Sequence, residues 1–226
     1  MKVQVFQMNT AQLQKTLRAS QYAEQILNLH QNTLEQDAAV HPFDQSLSTE
    51  KIQLLIQQSL VGLQDEAQWM QALRVLRARL MFRWIWQDAN QQTDVVTLTR
   101  ELSDFADACI VAAKEFALIP LLAKHGEPIG YSGKVQDLIV IAMGKLGAQE
   151  LNLSSDIDLI FAFDEQGETN GRKCIDVQQF CILWGQKLIY LLDHITADGF
   201  VFRVDMRLRP WGDGSALVIS HVALEK

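Results

Sequence analysis

The chain has 226 residues, and 48% of them are apolar, which is enough for the core of one large domain or two modest ones. Its 20 basic and 27 acidic side chains give a formal net charge of −7, which argues against a general nucleic-acid coat protein, because phosphate backbones bind basic surfaces. The three cysteines lack disulfide or metal-site spacing. Because neither a secretory leader nor an apolar run of about 18 residues is found, we expect a cytoplasmic protein without a membrane anchor.

The first half of the chain, from about residue 10 to residue 125, is predicted to be helical throughout, because its apolar residues recur at helical spacing. The clearest helix covers residues 66–90 and has an apolar face. That face carries Trp69, Leu73, Leu76, Leu80 and Trp84. Its flanks carry arginines, which we interpret as solvated charges rather than as an interaction surface. They are Arg74, Arg77, Arg79 and Arg83.

A further helix is predicted over residues 99–118, with Pro120 disturbing its end, because proline lacks the N–H that a helix interior requires. The glycine-rich segment that follows, residues 125–133, is typical of a linker. We therefore divide the chain into a helical region, residues 1–126, and a second domain, residues 127–226.

The second domain is predicted to mix strands with helices. Residues 138–143 form a short apolar run that ends at Gly144, which is typical of a buried strand. Residues 157–163 and 200–208 are predicted to be two further strands. Residues 176–194 form an amphipathic helix with Asp176 as its N-cap. The chain as a whole is thus predicted to belong to the α+β class.

Two aspartates alternate at the start of the strand predicted at residues 157–163. Because side chains alternate across a strand, Asp156 and Asp158 should project from one face, about 7 Å apart. A cation between them would relieve their repulsion, and Mg²⁺ prefers carboxylate oxygens. An isolated pair of this kind is more often two solvated residues on a half-exposed strand, so the surrounding residues decide between this interpretation and a cation site.

A third carboxylate lies on the strand predicted at residues 200–208, where charged residues alternate with apolar ones. The charged face carries Arg203, Asp205, Arg207 and Arg209. If this strand lies beside the first, Asp205 joins the acidic pair, and its neighbouring arginines can neutralise phosphate. The alternative is that Asp205 pairs with an arginine on its own strand.

A glycine-rich turn directly follows the strand predicted at residues 138–143. Gly144, Lys145 and Gly147 there, with Ser154 and Ser155 further along, are small or polar residues that would let phosphates approach backbone N–H groups. The spacing is not that of a Walker A loop. We therefore treat these residues as candidate nucleotide- or phosphate-binding positions only in combination with the nearby aspartates.

Two sequence blocks carry a family resemblance. The run AMGKLGAQELNLSSDIDLIF, residues 142–161, resembles the signature of the bifunctional glutamine synthetase adenylyltransferase/adenylyl-removing enzymes. The run DGFVFRVDMRLRPWG, residues 198–212, looks like the same family's downstream motif. The form ELNLSSDID is more similar to the N-terminal, adenylyl-removing unit of that family. Ala148 departs from the pattern, which usually has a second glycine there, and we expect this change to be tolerated.

The resemblance implies a polymerase-β-like nucleotidyltransferase fold, with a small mixed sheet flanked by helices. It implies that Asp156, Asp158 and Asp205 are catalytic and bind Mg²⁺. It also implies a reaction in which phosphate removes AMP from an adenylyl-tyrosine of glutamine synthetase and releases ADP. A PII signalling protein would regulate the full-length enzyme. Because family members are several times longer, we interpret the chain as a fragment truncated at its C-terminal end.

Two other functions remain open on the sequence alone. The same metal geometry would serve ATP-dependent adenylylation of glutamine synthetase. A chain without the later part of the family could also be a catalytically incomplete module that only binds the protein substrate. A polymerase or tRNA-modifying enzyme is disfavoured by the acidic charge, so we expect no nucleic-acid partner.

Overall fold

A computed structural model describes residues 9–208 and 216–221 of the chain. The described helices are α1 (Thr10–Ala19), α2 (Gln21–Val40), α3 (Thr49–Leu60), α4 (Glu66–Ala89), α5 (Val95–His125), α6 (Gly144–Gly147) and α7 (Val177–Asp193). The described strands are β1 (Pro128–Gly130), β2 (Ile139–Met143), β3 (Ile157–Phe163), β4 (Gly167–Thr169), β5 (Val204–Asp205) and β6 (Val218–Ser220). The predicted α+β class, with a helical first half followed by a small mixed sheet, is confirmed.

The chain divides into two compact units by its contacts. The first contains Met1–Phe105 and Leu151–Leu153, and the second contains Ala106–Glu150 and Ser154–Lys226. The boundary between the units falls inside α5, and it does not test the predicted domains. Residues 1–126 and 127–226 therefore stay a prediction. None of the described helices is long and apolar enough to cross a lipid bilayer.

In the first unit, α4 is the central helix, and α1, α2 and α3 all pack against it. Every residue from Leu80 to Gln87 is buried, so this stretch contacts protein on all sides rather than on one face. Asp65 begins the helix as an N-cap, accepting a hydrogen bond from the backbone N–H of Gln68 at 2.9 Å. The predicted helix at residues 66–90 is thus confirmed, but it has no broad solvated side.

The prediction that the α4 arginines are solvated is wrong for two of the four. Arg74 is 1% exposed and Arg83 is 3% exposed. Arg74 donates to the carbonyl of Met70, and Arg83 donates to the carbonyls of His41, Pro42 and Gln45. Buried guanidinium groups require such acceptors, and the sequence does not reveal that the loop after α2 supplies those of Arg83.

Two predictions about the middle of the chain are also corrected. Helix α5 does not end near residue 118 but continues through Pro120 to His125. The lost N–H removes one helical hydrogen bond, and burial of Ala117 before the proline and of His125 after it holds both ends of this stretch. The predicted linker contains β1, which pairs antiparallel with β4. Gly167 permits this pairing, because a Cβ there would lie only 2.0 Å from the carbonyl oxygen of Ile129.

The second unit contains a mixed sheet in the order β2-β3-β5, with β6 also paired to β3. Strand β2 is antiparallel to β3, whereas β5 and β6 run parallel to it. Strand β3 is almost wholly buried, but β2 is only half-buried, which corrects the prediction of a buried strand there. Among the described strands β2 pairs with β3 only, so it lies at an edge of the sheet. Its apolar run therefore belongs to a half-buried edge strand.

Helix α7 packs against the mixed sheet and closes the core of the second unit. The N-cap prediction is confirmed, because the Asp176 side chain accepts from the backbone N–H of Gln179 at 2.7 Å. Gly185 in the middle of α7 allows the close contact, since a Cβ there would lie 2.7 Å from the ring of Phe161. The helix thus lies directly on β3 and helps to fix the strand that carries Asp158.

Candidate active site

The aspartates of β3 and β5 lie next to each other. The two parallel strands pair in register, with Ile157 opposite Val204 and Asp158 opposite Asp205. In-register residues on neighbouring strands project from the same face of the sheet, about 4.8 Å apart at the backbone. The prediction that Asp205 joins the aspartate pair through a neighbouring strand is therefore confirmed as a placement.

The strand that carries Asp205 is much shorter than predicted. Residues 200–208 were expected to be extended throughout, but only Val204–Asp205 form a strand, and Leu208 is 50% exposed. The backbone N–H of Arg207 donates to Oδ1 of Asp205 at 2.8 Å. A side chain that captures a backbone donor two residues later favours a turn over a ladder, which accounts for the early end of the strand.

Arg207 also holds the Asp205 carboxylate with its side chain. Its Nε donates to both carboxylate oxygens, at 3.0 and 2.8 Å, and its Nη2 donates to Oδ2. The guanidinium, and then the backbone N–H, hold the pKa of Asp205 below its usual range. Asp205 is therefore an anion at neutral pH, which is the form that a cation requires. The alternative interpretation is that Asp205 pairs with an arginine next to it in sequence. The structure contains that pair, with Arg207, as well as the in-register placement of Asp205 beside Asp158.

Asp156 lies just before β3 and pairs with the other arginine of the motif. Nε of Arg203 donates to Oδ1 of Asp156, and Nη2 of Arg203 donates to the carbonyl of Ser154 at 2.8 Å. The backbone N–H of Ile157 donates to the Arg203 carbonyl at 2.9 Å. The segment before β3 is therefore bound to the start of β5 by both backbone and side chain.

Gly144 is the third element of the site, at the end of β2. Met143 lies opposite Asp158 in the β2–β3 pairing, so the next residue reaches the Asp158 side chain. A Cβ at Gly144 would lie 2.4 Å from Oδ2 of Asp158, and the backbone there has φ of +54°. Only glycine fits both constraints without strain. The sequence suggested small residues for phosphate approach and missed this contact with the carboxylate.

The glycine-rich turn itself is a single helical turn, α6. Gly147 packs closely on β2, because a Cβ there would lie 2.6 Å from the carbonyl oxygen of Ala142. Ala148 has φ of −86°, which any residue adopts, so the structure has no conformational need for the family's second glycine at this position. Besides Gly144, a left-handed conformation is found just after the turn at Gln149, with φ of +59°.

The remaining predicted residues lie around this geometry, and their binding roles stay predictions. Lys145 is exposed on α6, Ser154 is exposed, and Ser155 is half-buried just before Asp156. Arg209 lies outside the described residues. The structure thus brings together Asp158, Asp205 and Gly144 by direct pairing or contact, and Asp156 with Arg203 at the same end of the sheet.

The carboxylates have the chemistry of a hard-cation site, although they do not converge on one point. Among the described residues no group of three His, Cys, Asp or Glu side chains stands ready to hold an ion. The donors at this end of the sheet are carboxylate oxygens, which Mg²⁺ prefers. Because Gly144 has no side chain, no Cβ lies against Oδ2 of Asp158 there. The donor chemistry of these carboxylates therefore suits Mg²⁺, and their binding of the ion stays a prediction.

Comparison with known proteins adds independent information. The sequence model of one protein family, described as glutamate-ammonia ligase adenylyltransferase, matches residues 10–226. A protein of Acinetobacter baylyi described as bifunctional glutamine synthetase adenylyltransferase/adenylyl-removing enzyme is 77% identical over 98% of this chain. That match covers 24% of the relative's own length.

Two more distant relatives carry the same description. A protein of Thioalkalivibrio sulfidiphilus is 50% identical over 72% of this chain, and 17% of that relative is covered. A protein of Hahella chejuensis is 49% identical over 74% of this chain, with 18% of it covered. The chain therefore spans a quarter or less of the curated relatives that it matches.

Proposed function

Because the chain belongs to the glutamate-ammonia ligase adenylyltransferase family, we propose that its carboxylate site performs nucleotidyl transfer on glutamine synthetase. The observation that carries this proposal is the in-register pair Asp158 and Asp205, with Gly144 against Asp158. Nucleotidyl transfer moves a charged phosphorus centre between two oxygens, so it requires concentrated positive charge next to the reacting group. Carboxylates that hold divalent cations are one way to place it there.

Asp158, Asp205 and Asp156 would hold Mg²⁺ in this proposal. The bound ion supplies a positive charge that stabilises the attacking and leaving oxygens of an in-line displacement. Gly144 keeps the space beside the Asp158 carboxylate open. Lys145 and Arg207, both exposed, supply further positive charge for phosphate oxygens. Ser154, Ser155 and Gly147 shape the approach, and Arg209 is assigned the same phosphate role from the motif alone.

The direction that we propose is removal of AMP. An oxygen of hydrogen phosphate attacks the phosphorus of the adenylyl group, and the bond from phosphorus to the tyrosine oxygen breaks. The proton of the phosphate passes to the tyrosine oxygen, so the products are ADP and an unmodified tyrosine. The ELNLSSDID form of the motif, which is similar to the adenylyl-removing unit of the family, supports this direction.

The test is phosphate-dependent release of ADP from adenylylated glutamine synthetase in the presence of Mg²⁺. The chain is compared with Asp158→Asn and with Asp164→Asn, an exposed aspartate immediately after the other end of β3. Release by the chain and by Asp164→Asn, but not by Asp158→Asn, is the expected result. Equal release by all three proteins would contradict the assignment of the site.

ATP-dependent adenylylation is the second candidate, because the names of the relatives include both activities. It is separated from removal by incubating the chain with unmodified glutamine synthetase and ATP labelled in the adenylyl group. Transfer of the label to glutamine synthetase, without phosphate-dependent ADP release in the reverse assay, would favour addition. Binding of glutamine synthetase without either reaction would favour a non-catalytic module.

The remaining proposals concern the cell rather than the site. A PII signalling protein as regulator rests on the family resemblance, and a cytoplasmic location is an expectation from the sequence alone. The formal charge of −7 supports a protein and a nucleotide as partners over a nucleic acid.

A further inference from the structure

Arg203 connects two segments that are far apart in sequence, at the point where the site begins. Its Nε donates to the Asp156 carboxylate and its Nη2 to the Ser154 carbonyl, across sequence separations of 47 and 49 residues. Its own carbonyl accepts from the backbone N–H of Ile157 at 2.9 Å. One residue thus bonds to three positions of the segment that carries the first aspartate.

From these contacts we infer that Arg203 is a positioning residue, which fixes Asp156 in the orientation that cation binding requires, rather than a phosphate ligand. The inference rests on the proposed function of the site. It deepens that function, because the family motif by itself suggests only that the arginines neutralise phosphate.

The position of Asp156 explains the need for such a residue. Strand β3 begins at Ile157, and its pairing with β5 begins at Ile157 and Val204. Asp156 is one residue outside that ladder, so its orientation is not fixed by the β3–β5 pairing. The planar guanidinium binds a carboxylate and a carbonyl at once, which fixes both direction and distance. Arg203 thereby extends the link between the two segments past the end of the ladder.

The exposure of the pair argues for orientation rather than stability. The Arg203 and Asp156 side chains are 53% and 44% exposed, and exposed ion pairs contribute about 1 kcal/mol or less to folding. Arg207 provides a contrast, because it reaches only two residues back to Asp205 and is 79% exposed. A local, exposed contact of that kind does not join separate segments.

The decisive substitution is Arg203→Lys, because it keeps the positive charge and removes the planar fork. We measure the affinity of the chain for Mn²⁺ alone, from the electron paramagnetic resonance signal of free Mn²⁺. Replacing residues that orient metal ligands typically lowers affinity by about tenfold to a hundredfold. We expect a loss of about tenfold for Arg203→Lys, and none for Arg172→Lys, an exposed arginine elsewhere in the same unit.

A double-mutant cycle identifies the route of the effect. If Arg203 acts through Asp156, then Arg203→Lys combined with Asp156→Asn binds Mn²⁺ no more weakly than Asp156→Asn alone. Hydrogen exchange gives a second readout that needs no ion: amides of residues 154–156 should exchange faster in Arg203→Lys than in the unsubstituted chain. Circular dichroism and thermal melting confirm that the variants are folded.

Three outcomes would overturn the inference, and they can be told apart. Additive losses in the double variant would show that Arg203 acts independently of Asp156, while the proposed function stands. Unchanged exchange at residues 154–156 would show that the side chain does not fix the segment. Failure of the unsubstituted chain to bind Mn²⁺ would contradict the proposed function and, with it, this inference.

Discussion

At the scale of single residues, Gly144 is the position where backbone conformation and site chemistry meet. Its φ of +54° lies in the left-handed region, and a Cβ would lie 2.4 Å from Oδ2 of Asp158. Either feature alone favours glycine. Together they imply that a side chain here both strains the turn and displaces the carboxylate.

We therefore predict that Gly144→Ala lowers Mn²⁺ affinity and ADP release by at least about tenfold, since it moves a carboxylate ligand. The matched control is Gly133→Ala, because Gly133 also has a positive φ, +83°, but a Cβ there meets nothing within 4 Å. Both variants should lose about 1 kcal/mol of folding free energy from backbone strain, measured by urea denaturation. A loss of Mn²⁺ affinity in both variants alike would contradict a specific role for the space beside Asp158.

The sequence predicts part of this arrangement but not its reason. The glycines of the turn and the aspartates Asp156 and Asp158 are visible as a motif, and their closeness in sequence suggests a shared site. The contact between Gly144 and Asp158 depends on the β2–β3 register, which places Met143 opposite Asp158. Register is set by packing across strands, so a local pattern does not fix it.

At the scale of elements, α7 and β3 depend on one close contact. Gly185 is buried, and a Cβ there would lie 2.7 and 2.9 Å from two ring carbons of Phe161. Glycine is a poor helix former, so its place in the middle of α7 is explained by packing. From the sequence alone Gly185 is only a poor helix former within a helical pattern, because the pattern carries no information about the strand on the other side.

Gly185→Ala should accordingly destabilise the chain, although alanine is the better helix former. Overpacking of a core costs about 1–3 kcal/mol, which exceeds the gain of about 1 kcal/mol in helix propensity. The control is Gln186→Ala on the exposed side of the same helix, which should change stability by less than about 0.5 kcal/mol. Urea denaturation monitored by circular dichroism measures both, and a more stable Gly185→Ala variant would contradict the packing of α7 on β3.

In α4, Arg83 also makes contacts with a segment that is distant in sequence. It is 3% exposed and donates to the carbonyls of His41 and Pro42, at 2.8 and 2.9 Å, and to that of Gln45. The substitution Arg83→Met keeps the apolar stem but leaves three carbonyls without this donor.

We expect Arg83→Met to cost about 1–3 kcal/mol, because the half-buried carbonyl of His41 loses this donor. The Pro42 carbonyl still accepts from the backbone N–H of Gln45, and the Gln45 carbonyl from Nε2 of Gln87. Arg100→Met, at an exposed arginine of α5, should cost less than about 0.5 kcal/mol. The free energy of unfolding from urea titration provides the comparison. Equal, small losses in the two variants would indicate that solvent replaces the Arg83 contacts and that the loop after α2 does not depend on them.

Most elements were predictable from periodicity, and the failures share a cause. The helix at α4, the strand at β3 and the capped helix α7 follow from local spacing. The continuation of α5 through Pro120, the burial of Arg83 and the strand β1 in a supposed linker all depend on partners distant in sequence. The β6 strand also escaped prediction, since Val218–Ser220 pair parallel with Phe161–Phe163 more than fifty residues earlier.

At the scale of the whole molecule, the second unit brings two separated motifs to one end of a sheet. Residues 142–161 supply the end of β2, α6 and the start of β3, and residues 198–212 supply β5. The sequence predicts a shared site only if the two strands are neighbours, and β3 and β5 do pair with each other. The family match over residues 10–226 extends over the helical half as well, where the sequence offered only periodicity.

The proposed activity requires Asp158 and Asp205 to act as one cation site. The most direct measurement is a titration with Mn²⁺ of four proteins: the unsubstituted chain, Asp158→Asn, Asp205→Asn and the control Asp164→Asn. We predict that Asp158→Asn and Asp205→Asn each weaken binding at least about tenfold, because each removes a charged ligand, while Asp164→Asn binds as the unsubstituted chain does. Equal Mn²⁺ affinity in all four proteins would contradict the account.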